Sequence, residues 1–382
     1  MPVVFLLHLA IPAKFTKVRN WLLIIASLVF YAWGNLYYVG LLLVSSAVNY
    51  ALALIIKKRA GKNNKPVLIA AIVFNIGVML VMKYADFFIE TVNGVFSSEL
   101  PKLNIVSPLG ISFFTFQALG YIIDAYRGEI EPTKDFGKFL LFISFFAQLV
   151  QGPIIRWSTV ERDLDSRRMT AEGIANGLRL FIIGLAMKLI LANTLGGVTS
   201  FIYGIEAGKL NAAYAWTGAV SFVLQLYFDF AGYSVMAMGL GGMFGITVPQ
   251  NFNYPYIAYS MTDFWRRWHI TLSRWFRDYV YIPLGGNRKG AFRTGLNKII
   301  VFLLTGLWHG ANWTFVFWGA YNGVFLLGEN YLKKTKLRLP KVLTWVYTII
   351  AVTVGFAVFN SPDMGYAFAM IRNMFAGFNI GV

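Results

Sequence analysis

Apolar segments, separated by short basic or mixed-charge stretches, follow one another along most of the chain. The first, at residues 21–56, is interrupted by Gly34-Asn35 and bracketed by lysines and arginines, which predicts a helical hairpin. The later apolar segments occupy residues 67–82, 105–123, 139–155, 174–195, 212–246, 299–332 and 342–359. A helix needs about 20 predominantly apolar residues to cross the hydrocarbon core of a bilayer. The pattern therefore predicts an all-α protein that crosses the membrane several times.

Prolines and glycines interrupt two of these segments. Residues 105–123 contain a proline and two glycines, and residues 139–155 end at Gly152-Pro153. Both are expected to be short or broken spans. Backbone that is not helical survives at membrane depth only where protein or a water-filled cavity satisfies its polar groups. The breaks therefore indicate a cavity, where a functional site is expected.

Basic residues predict the orientation of the spans, because short loops rich in lysine and arginine stay in the cytoplasm. Both ends of the hairpin at 21–56 should lie there, and Gly34-Asn35 should lie outside. Residues 85–100 carry three carboxylates and no lysine or arginine, which favours an outer loop. The stretch 156–168 carries four arginines and is placed at the cytoplasmic surface.

Composition supports the membrane assignment. Hydrophobic residues make up 57% of the 382 and charged residues only 13%, with a mean hydropathy of +0.59. Soluble domains carry about 25% charged residues, so lipid must cover much of this apolar surface. We predict one continuous membrane domain over residues 1–382, without a cleavable signal peptide at its start.

The formal net charge of +17 limits the expected partners. The basic residues mostly punctuate apolar segments and form no nucleic-acid stripe, so anionic lipid headgroups or a phosphorylated substrate are expected instead. The chain has no cysteine, which excludes disulfides, thiolate metal sites and a cysteine nucleophile. We expect no metal and no nucleic acid.

His309 lies inside the apolar segment that follows Lys298. From Lys298, eleven helical residues rise roughly 16 Å at about 1.5 Å each, near the middle of a core about 30 Å thick. The whole segment would be roughly 50 Å long as one helix, so it should bend or break near Gly306, Gly310 and Asn312. A buried neutral histidine could act as a general base, or could simply pack against a neighbouring helix. Its position leaves both interpretations open.

A second candidate constellation lies at residues 262–279, where aromatic residues and arginines are interleaved. Helical spacing would place four residues on one face, Trp265, His269, Ser273 and Phe276, and three on another, Arg267, Arg274 and Arg277. The arginines could receive the phosphates of a bulky donor beside His269. Alternatively, this is an interfacial amphipathic helix whose arginines meet lipid headgroups. Asp263 with Arg267, and Arg274 with Asp278, are possible ion pairs one turn apart.

Asp229 is a carboxylate within an apolar segment and needs a partner, for which one of those arginines is the candidate. A structural ion pair is favoured over a proton relay. The pair Gly285-Gly286 follows no predicted strand and is therefore no nucleotide fingerprint. His8 stands near the start of the chain without companions and is interpreted as incidental.

Together these segments resemble the membrane-bound O-acyltransferase (MBOAT) family, and within it the branch of alginate and other polysaccharide O-acetylation proteins. The resemblance extends over nearly the whole chain. Its most specific segments are residues 263–288 and the block Gly306-Leu-Trp-His-Gly-Ala-Asn-Trp313. It also includes residues 110–117, 124–128, 229–234 and 251–256. Val235 departs from it, since an aspartate is expected there.

The resemblance implies the fold, the chemistry and the site. It implies a ring of tilted, partly broken helices around a central funnel, in a chain that lacks the usual opening segment and the last helices. The near-invariant histidine of the family falls on His309 and its more variable polar position on His269. Arg266, Arg267, Arg274, Arg277 and Arg288 then become candidates for binding donor phosphates. The residues expected to shape the site are Asp229, Trp308, Asn312 and Trp313.

The implied reaction is acetyl transfer, with His309 as general base and His269 assisting by hydrogen bonding or proton transfer. The donor is expected to be cytoplasmic acetyl-CoA, with no other cofactor. The acceptor is expected to be an extracytoplasmic polysaccharide, reached directly or through a separate extracytoplasmic acetyltransferase, at the inner (plasma) membrane. D-alanyl transfer to teichoic acid from a carrier protein is the enzymatic alternative. A transporter of an activated sugar or lipid and a membrane scaffold for secreted partners are alternatives of other classes.

Overall fold

The computed structural model describes residues 1–167, 169–332, 335 and 339–376, and all the regular structure in these residues is helical. The helices are α1 (Pro2–Ala10), α2 (Thr16–Gly34), α3 (Leu36–Lys58), α4 (Lys65–Phe96), α5 (Ile111–Arg127), α6 (Phe136–Ser144), α7 (Trp157–Ser166), α8 (Ala171–Ala186), α9 (Asn193–Tyr203), α10 (Ala212–Phe244), α11 (Met261–Arg267), α12 (Ile270–Phe276), α13 (Gly290–His309), α14 (Trp313–Leu332), α15 (Lys341–Asn360) and α16 (Met364–Ala376). Wider π-helical turns at Met187–Ala192 and Arg277–Tyr281 continue α8 into α9 and extend α12. The predicted all-α fold is confirmed.

Five stretches among the described residues are long and apolar enough to cross a membrane: Leu36–Lys58, Lys65–Phe96, Ala171–Tyr203, Ala212–Phe244 and Lys341–Asn360. Their outer faces are apolar, and large side chains such as Val73, Phe201 and Val342 are exposed in the absence of lipid. The chain is therefore a polytopic membrane protein.

Two predicted interruptions are confirmed. The hairpin breaks where α2 ends at Gly34 and α3 begins at Leu36, and the side-chain oxygen of Asn35 accepts a hydrogen bond from the backbone N–H of Tyr37 at 2.9 Å. The long C-terminal apolar segment breaks between His309 and Trp313.

The predicted loop at residues 85–100 is wrong, because α4 continues through it to Phe96. Its carboxylates are satisfied from the segment that follows the helix. Asp86 accepts hydrogen bonds from the backbone N–H groups of Leu103 and Ile105 at 2.6 and 3.2 Å, and Glu90 pairs with Lys102. Acidic residues with such partners do not end a helix, so their presence was a poor marker of a loop.

The described residues divide into two compact units, the first formed by Met1–Ile182 and Ser234–Pro249. Its core lies around the short helices α5 and α6, where Phe114, Tyr121 and Phe139 are almost completely buried. Asn49 and Asn75 exchange amide hydrogen bonds of 3.1 and 2.7 Å between α3 and α4. Such polar pairs hold apolar helices together where hydrophobic burial alone gives no preference over lipid.

Glycines allow α8 and α10 to pack closely within this first unit. A Cβ atom added at Gly177 would lie 2.6 Å from the carbonyl oxygen of Gly239, and one added at Gly239 would lie 2.5 Å from the carbonyl oxygen of Gly177. Small residues at a helix contact bring two backbones together and replace lipid contacts by dense packing. These two glycines set the separation of the helices at this point.

The second unit comprises Ile183–Tyr233 and Gln250–Val382. In it, α13 and α14 form an antiparallel hairpin and pack along much of their length. Asp229 of α10 forms an ion pair with Lys188, at 2.5 Å from its Nζ. The prediction of an arginine partner was therefore wrong. Lys188 lies in the π-helical turn at Met187–Ala192. The positions of the arginines in the sequence could not reveal this lysine as the partner.

Replacing Gly239 with alanine should destabilise the first unit, because the new Cβ would overlap the backbone of α8. The expected cost is about 1–3 kcal/mol in the free energy of unfolding, the usual range for overpacking. Gly197 is the matched control, since it is helical and nothing lies within 4 Å of an added Cβ. The alanine variant at Gly197 should be unchanged or stabilised by up to about 1 kcal/mol. Thermal unfolding in detergent measures both, and equal behaviour of the two variants would contradict the packing role.

Candidate active site

Both candidate histidines line one cavity of about 230 Å³ in the second unit. Its wall comes from α11, α12 and α13, with one residue from α14. The lining residues are Thr262, Trp265, Arg266, Trp268, His269, Leu272, Ser273, Phe276, Arg277, Tyr281, Lys298, Val301, Phe302, Thr305, His309 and Leu326. Half of these side chains are apolar or aromatic, and the others are the two histidines, three cations and three hydroxyl side chains, Thr262, Ser273 and Thr305. This composition is typical of a small-molecule site.

His269 stands at a break in the backbone. The sequence pattern predicted one helix through residues 262–279, but α11 ends at Arg267 and α12 begins at Ile270. His269 between them has φ 43° and ψ 55°, in the left-handed region that residues other than glycine rarely occupy. Such strained residues persist only where their surroundings hold them, and they cluster at functional sites.

The segment before α11 holds this break in place. The backbone N–H of Asn253 donates to the carbonyl of Arg267, and that of Ile270 donates to the carbonyl of Asn251, each at 2.9 Å. Backbone groups released by the helix break are therefore satisfied by an extended neighbour. Four residues were predicted to share one face of a continuous helix, and all line the cavity: Trp265, His269, Ser273 and Phe276. They do so from two helices joined at the break.

Asn251 determines which nitrogen of His269 carries the proton. Its Oδ1 accepts hydrogen bonds from the backbone N–H of Thr271 at 3.2 Å and from the Thr271 hydroxyl at 2.9 Å, and lies 3.2 Å from Nδ1 of His269. A backbone N–H can only donate, so an oxygen must stand at this position of the amide. Nδ1 of His269 therefore donates, and a neutral ring leaves Nε2 as a bare acceptor. Nε2 has no hydrogen-bond partner in the described part of the protein.

Burial also keeps His269 neutral. The side chain is 2% exposed, and desolvation, with a smaller contribution from the nearby His309, lowers the pKa of His269 well below its ordinary value. A histidine with a lowered pKa remains an unprotonated base in mildly acidic conditions. The ring is also fixed by an edge-to-face contact with Phe230, with centroids 4.6 Å apart.

His309 is the last residue of α13 and stands among aromatic rings. The rings of Trp308, Trp318 and Phe359 lie at centroid distances of 4.9, 5.3 and 5.1 Å from it, each nearly perpendicular. Trp308 also contacts His269, at 5.9 Å, so one indole touches both imidazoles. The two histidines therefore share one cavity and one aromatic neighbour.

Close packing of α13 on α14 places His309. A Cβ added at Gly306 would overlap the carbonyl oxygen of Phe315, and one added at Gly319 would overlap the carbonyl oxygen of Phe302. The hairpin can close this tightly only because neither position has a side chain. His309 is therefore held by a helix whose neighbour lies at backbone contact.

The sequence profile of the membrane-bound O-acyltransferase family (MBOAT) matches residues 132–362, which include every residue of this cavity. The chain belongs to the membrane-bound O-acyltransferase family. It is similar to the probable alginate O-acetylase of Azotobacter vinelandii, with 37% identity over 383 residues, 98% of this chain and 76% of that protein. The peptidoglycan O-acetyltransferase of Helicobacter pylori is 36% identical over 384 residues, covering 92% and 73%. The teichoic acid D-alanyltransferase of Bacillus subtilis is 32% identical over 288 residues, covering 68% and 70%.

Two of the five candidate arginines of this O-acyltransferase line the cavity, Arg266 and Arg277. Arg277 forms an ion pair with Asp278 at 2.6 Å, where the sequence pattern had offered Arg274 as the partner. Arg267 pairs with Asp263 as predicted, at 3.0 Å. Lys298, from which the depth of His309 was counted, adds a third cation to the wall.

Arg267, Arg274 and Arg288 lie outside the lining of this cavity. Arg274 and Arg288 are exposed. A second cavity of about 680 Å³ borders the first and shares Tyr281 and Lys298 with it. The two cavities therefore adjoin at Tyr281 and at the cation Lys298.

Of the remaining residues expected to shape the site, Asn312 has a structural role. Asn312 donates to the carbonyl of Pro362 at 2.8 Å and accepts from the N–H of Thr314 at 3.0 Å, which organises the start of α14. Trp313 is 53% exposed, and neither it nor Asp229 lines the cavity. Within the described ranges, no group of three histidine, aspartate or glutamate side chains is arranged to hold a metal ion.

Two residues that sequence reasoning missed support the cavity wall, Asn251 and Glu329. The buried carboxylate of Glu329 on α14 accepts hydrogen bonds from the N–H groups of Met261 and Thr262 at 2.5 and 3.0 Å, and from the Thr262 hydroxyl at 2.6 Å. It therefore caps the start of α11. Its signal in the sequence was a carboxylate within an apolar segment, the same signal that singled out Asp229.

Changing Asn251 should alter the pH dependence of acyl transfer. Asn251→Asp keeps the acceptor for Nδ1 and adds a negative charge, which favours the imidazolium and raises the pKa of His269. Because the ordinary histidine pKa is about 6.5 and burial lowers that of His269, the unmodified enzyme should keep this base neutral below pH 6.5. The acid limb of kcat/KM should move to higher pH in the aspartate variant.

Asn251→Leu should lower kcat more than it changes KM. It removes the acceptor for Nδ1, so either ring nitrogen of His269 can carry the proton, but it does not touch the donor.

Asn253→Asp is the matched control for Asn251→Asp, because the side chain of Asn253 is exposed and lies two residues away in sequence. An aspartate at 253 that shifts the profile as far as one at 251 would rule out the specific role of Asn251.

Proposed function

We propose that this acyltransferase transfers an acetyl group from a cytoplasmic thioester donor, acetyl-CoA, for O-acetylation of an extracytoplasmic polysaccharide. The transfer occurs at the inner (plasma) membrane, directly to the polymer or through a partner acetyltransferase outside the cytoplasm. The observation that carries the proposal is the meeting of His269 and His309 in one small cavity with a cationic wall. The similarity to alginate and peptidoglycan O-acetylation proteins supports the choice of acyl group and acceptor class.

In the proposed reaction His309 is the general base. It removes the proton from the acceptor hydroxyl as the hydroxyl oxygen attacks the carbonyl carbon of the thioester. The tetrahedral intermediate then collapses, the C–S bond breaks, and the thiolate leaves with the proton that His309 carried. An ester and a free thiol result, so atoms and charge balance. General acid–base catalysis of this kind contributes about 10²- to 10⁴-fold to a rate.

His269 assists through Nε2. With Nδ1 donating to Asn251, Nε2 accepts a hydrogen bond and orients the reacting hydroxyl or relays its proton. The apolar surroundings exclude water, which strengthens these interactions and protects the thioester from hydrolysis.

The cations define the donor side of the proposed site. Arg266 would bind a donor phosphate through two parallel hydrogen bonds of its guanidinium. Lys298 and Arg277, whose Nε and Nη2 donate to Asp278, would add positive charge beside it. The cavity of about 230 Å³ suits a short acyl group, because pockets for drug-sized ligands run to about 300–1,000 Å³.

D-alanyl transfer from a carrier-protein thioester is the second candidate. The similarity to the Bacillus subtilis teichoic acid D-alanyltransferase favours it, and the same two histidines could serve that reaction. The two candidates differ in the donor and in the acyl group, not in the base. Membership of an acyltransferase family supports either reaction over transport of an activated sugar or lipid.

His309→Ala should reduce acetylation of the extracytoplasmic polymer by about 10²- to 10⁴-fold, because the general base is lost. Ester-linked acetate released from the polymer measures the effect, and the amount of variant in the membrane fraction shows that it inserts. A stably inserted variant that acetylates the polymer normally would refute the role of His309.

Arg266→Gln should raise the KM for acetyl-CoA at least tenfold with a smaller change in kcat, because it removes a phosphate contact made by ground state and transition state alike. Arg274→Gln is the matched control on the neighbouring helix and should leave KM unchanged. Labelled acetyl-CoA supplied to membrane vesicles measures both. Label incorporation only from a D-alanyl carrier protein would favour the second candidate instead.

A further inference from the structure

Three basic side chains are buried together in the first unit, His8 of α1, Arg19 of α2 and Arg167 after the end of α7. Their exposed fractions are 0%, 6% and 4%. They are near neighbours: Nη1 of Arg19 lies 3.8 Å from the sulfur of Met169, two residues after Arg167, and the charges of both arginines act on His8. None of them lines the cavity that holds His269 and His309. We call this group the buried basic cluster.

The three side chains are unequally satisfied. Arg19 donates from Nε and Nη2 to the carbonyl of Ile11, at 2.9 and 2.5 Å, and its Nη1 lies 3.8 Å from the sulfur of Met169. All three guanidinium nitrogens of Arg167 lack a hydrogen-bond partner in the described residues, as do both ring nitrogens of His8. Buried polar groups are nearly always hydrogen-bonded, so these five atoms need an explanation.

The charges of the cluster also indicate that a partner is missing. The carboxylate that acts on Arg167 belongs to Asp163, and its Oδ2 already accepts the N–H of Thr247 at 2.7 Å. Burial lowers the pKa of Arg167 to about 10, so the guanidinium remains charged at neutral pH, whereas burial lowers the pKa of His8 to about 3 and keeps that ring neutral. Arg167 therefore has one partly engaged carboxylate near it and a second guanidinium, that of Arg19, on which no carboxylate is seen to act among the residues that the structure describes. A buried unpaired charge is costly unless an anion compensates it.

The surroundings of the cluster indicate which anion. The outer face of α1 exposes Val3, Leu6 and Leu7, as a helix in contact with lipid does. Lys14 and Lys17, in the turn between α1 and the body of α2, are exposed. Apolar side chains beside exposed lysines are typical of the boundary where lipid headgroups lie.

We propose that the buried basic cluster is a binding site for a phosphate group, held by Arg167 and Arg19 with His8 donating one N–H. The guanidinium of Arg167 offers paired donors that match two phosphate oxygens. The phosphate belongs to an anionic phospholipid headgroup or to a free phosphate, which share this chemistry. Helix α1 carries His8, and the carbonyl of Ile11 just after its end accepts both bonds from Arg19, so the ligand would enter beside this helix.

The test compares thermal unfolding of the purified protein with and without two probes, inorganic phosphate and phosphatidylglycerol in nanodiscs, with phosphatidylcholine nanodiscs as the reference. Both the unmodified protein and Arg162→Gln, an exposed arginine on α7, should be stabilised by a phosphate probe. Arg167→Gln should match the unmodified protein or exceed its midpoint without the probe, because it removes an uncompensated charge. It should bind the probe at least tenfold more weakly.

The outcomes separate the sources and decide the proposal. Stabilisation by phosphatidylglycerol alone identifies a lipid site, and stabilisation by both probes identifies a phosphate site that a lipid can share. No stabilisation by either probe, or an equal response of Arg167→Gln, would overturn the proposal. A variant that is equally destabilised with and without the probe would also overturn it, in favour of a purely structural arginine.

Arg167→Lys supplies the second variant in case glutamine prevents folding. It keeps the charge but loses the paired donors, so it should fold and bind phosphatidylglycerol or phosphate more weakly. Unchanged affinity in the lysine variant would contradict recognition through the guanidinium.

Discussion

The carbonyl oxygen of the Asn251 side chain holds the site together. It accepts the N–H and the hydroxyl of Thr271 and meets Nδ1 of His269, so one atom fixes the start of α12 and the tautomer of the histidine. The left-handed backbone at His269 is unfavourable for an L-residue, and the break leaves backbone groups that need partners. The side chain and carbonyl of Asn251 and the N–H of Asn253 supply those partners. Without them the segment would revert toward the continuous helix that its spacing favours, and His269 would turn with it.

Close packing of two helix backbones fixes the position of the second histidine, His309. Gly306 and Gly319 let α13 and α14 approach until a single methyl group would clash, and His309 ends the helix that they hold. Glu329, on the same α14, caps the start of α11. Helix α14 therefore positions both His309 and the part of the cavity wall that α11 contributes. The geometry of the cavity that holds the two histidines depends on polar and close-packed contacts, because lipid-exposed apolar surface gives little preference among packings.

Charges inside the protein fall into two kinds. Lys188 with Asp229 and Arg267 with Asp263 are paired, and each pair neutralises a group that would be costly within an apolar environment. The cations at the cavity and in the buried basic cluster exceed the carboxylates beside them. The net charge of +17 is thus partly concentrated at positions where an anion could approach. The net charge predicted anionic partners such as lipid headgroups and phosphorylated substrates, and the structure shows which basic residues could meet them.

Local patterns along the chain predicted the features that depend on neighbouring residues. Apolar length and charge depletion indicated the spans, Gly34-Asn35 and the glycines around His309 indicated two breaks, and the blocks around His269 and His309 indicated the family. Tertiary structure alone decided the features that rest on residues distant in the chain. These are the carboxylate cap from Glu329, the lysine partner of Asp229, the role of Asn251 and the continuation of α4 past its acidic residues. Hydropathy and spacing record which face a residue prefers, but a hydrogen-bond or ion-pair partner across the fold is selected by packing, which no local pattern contains.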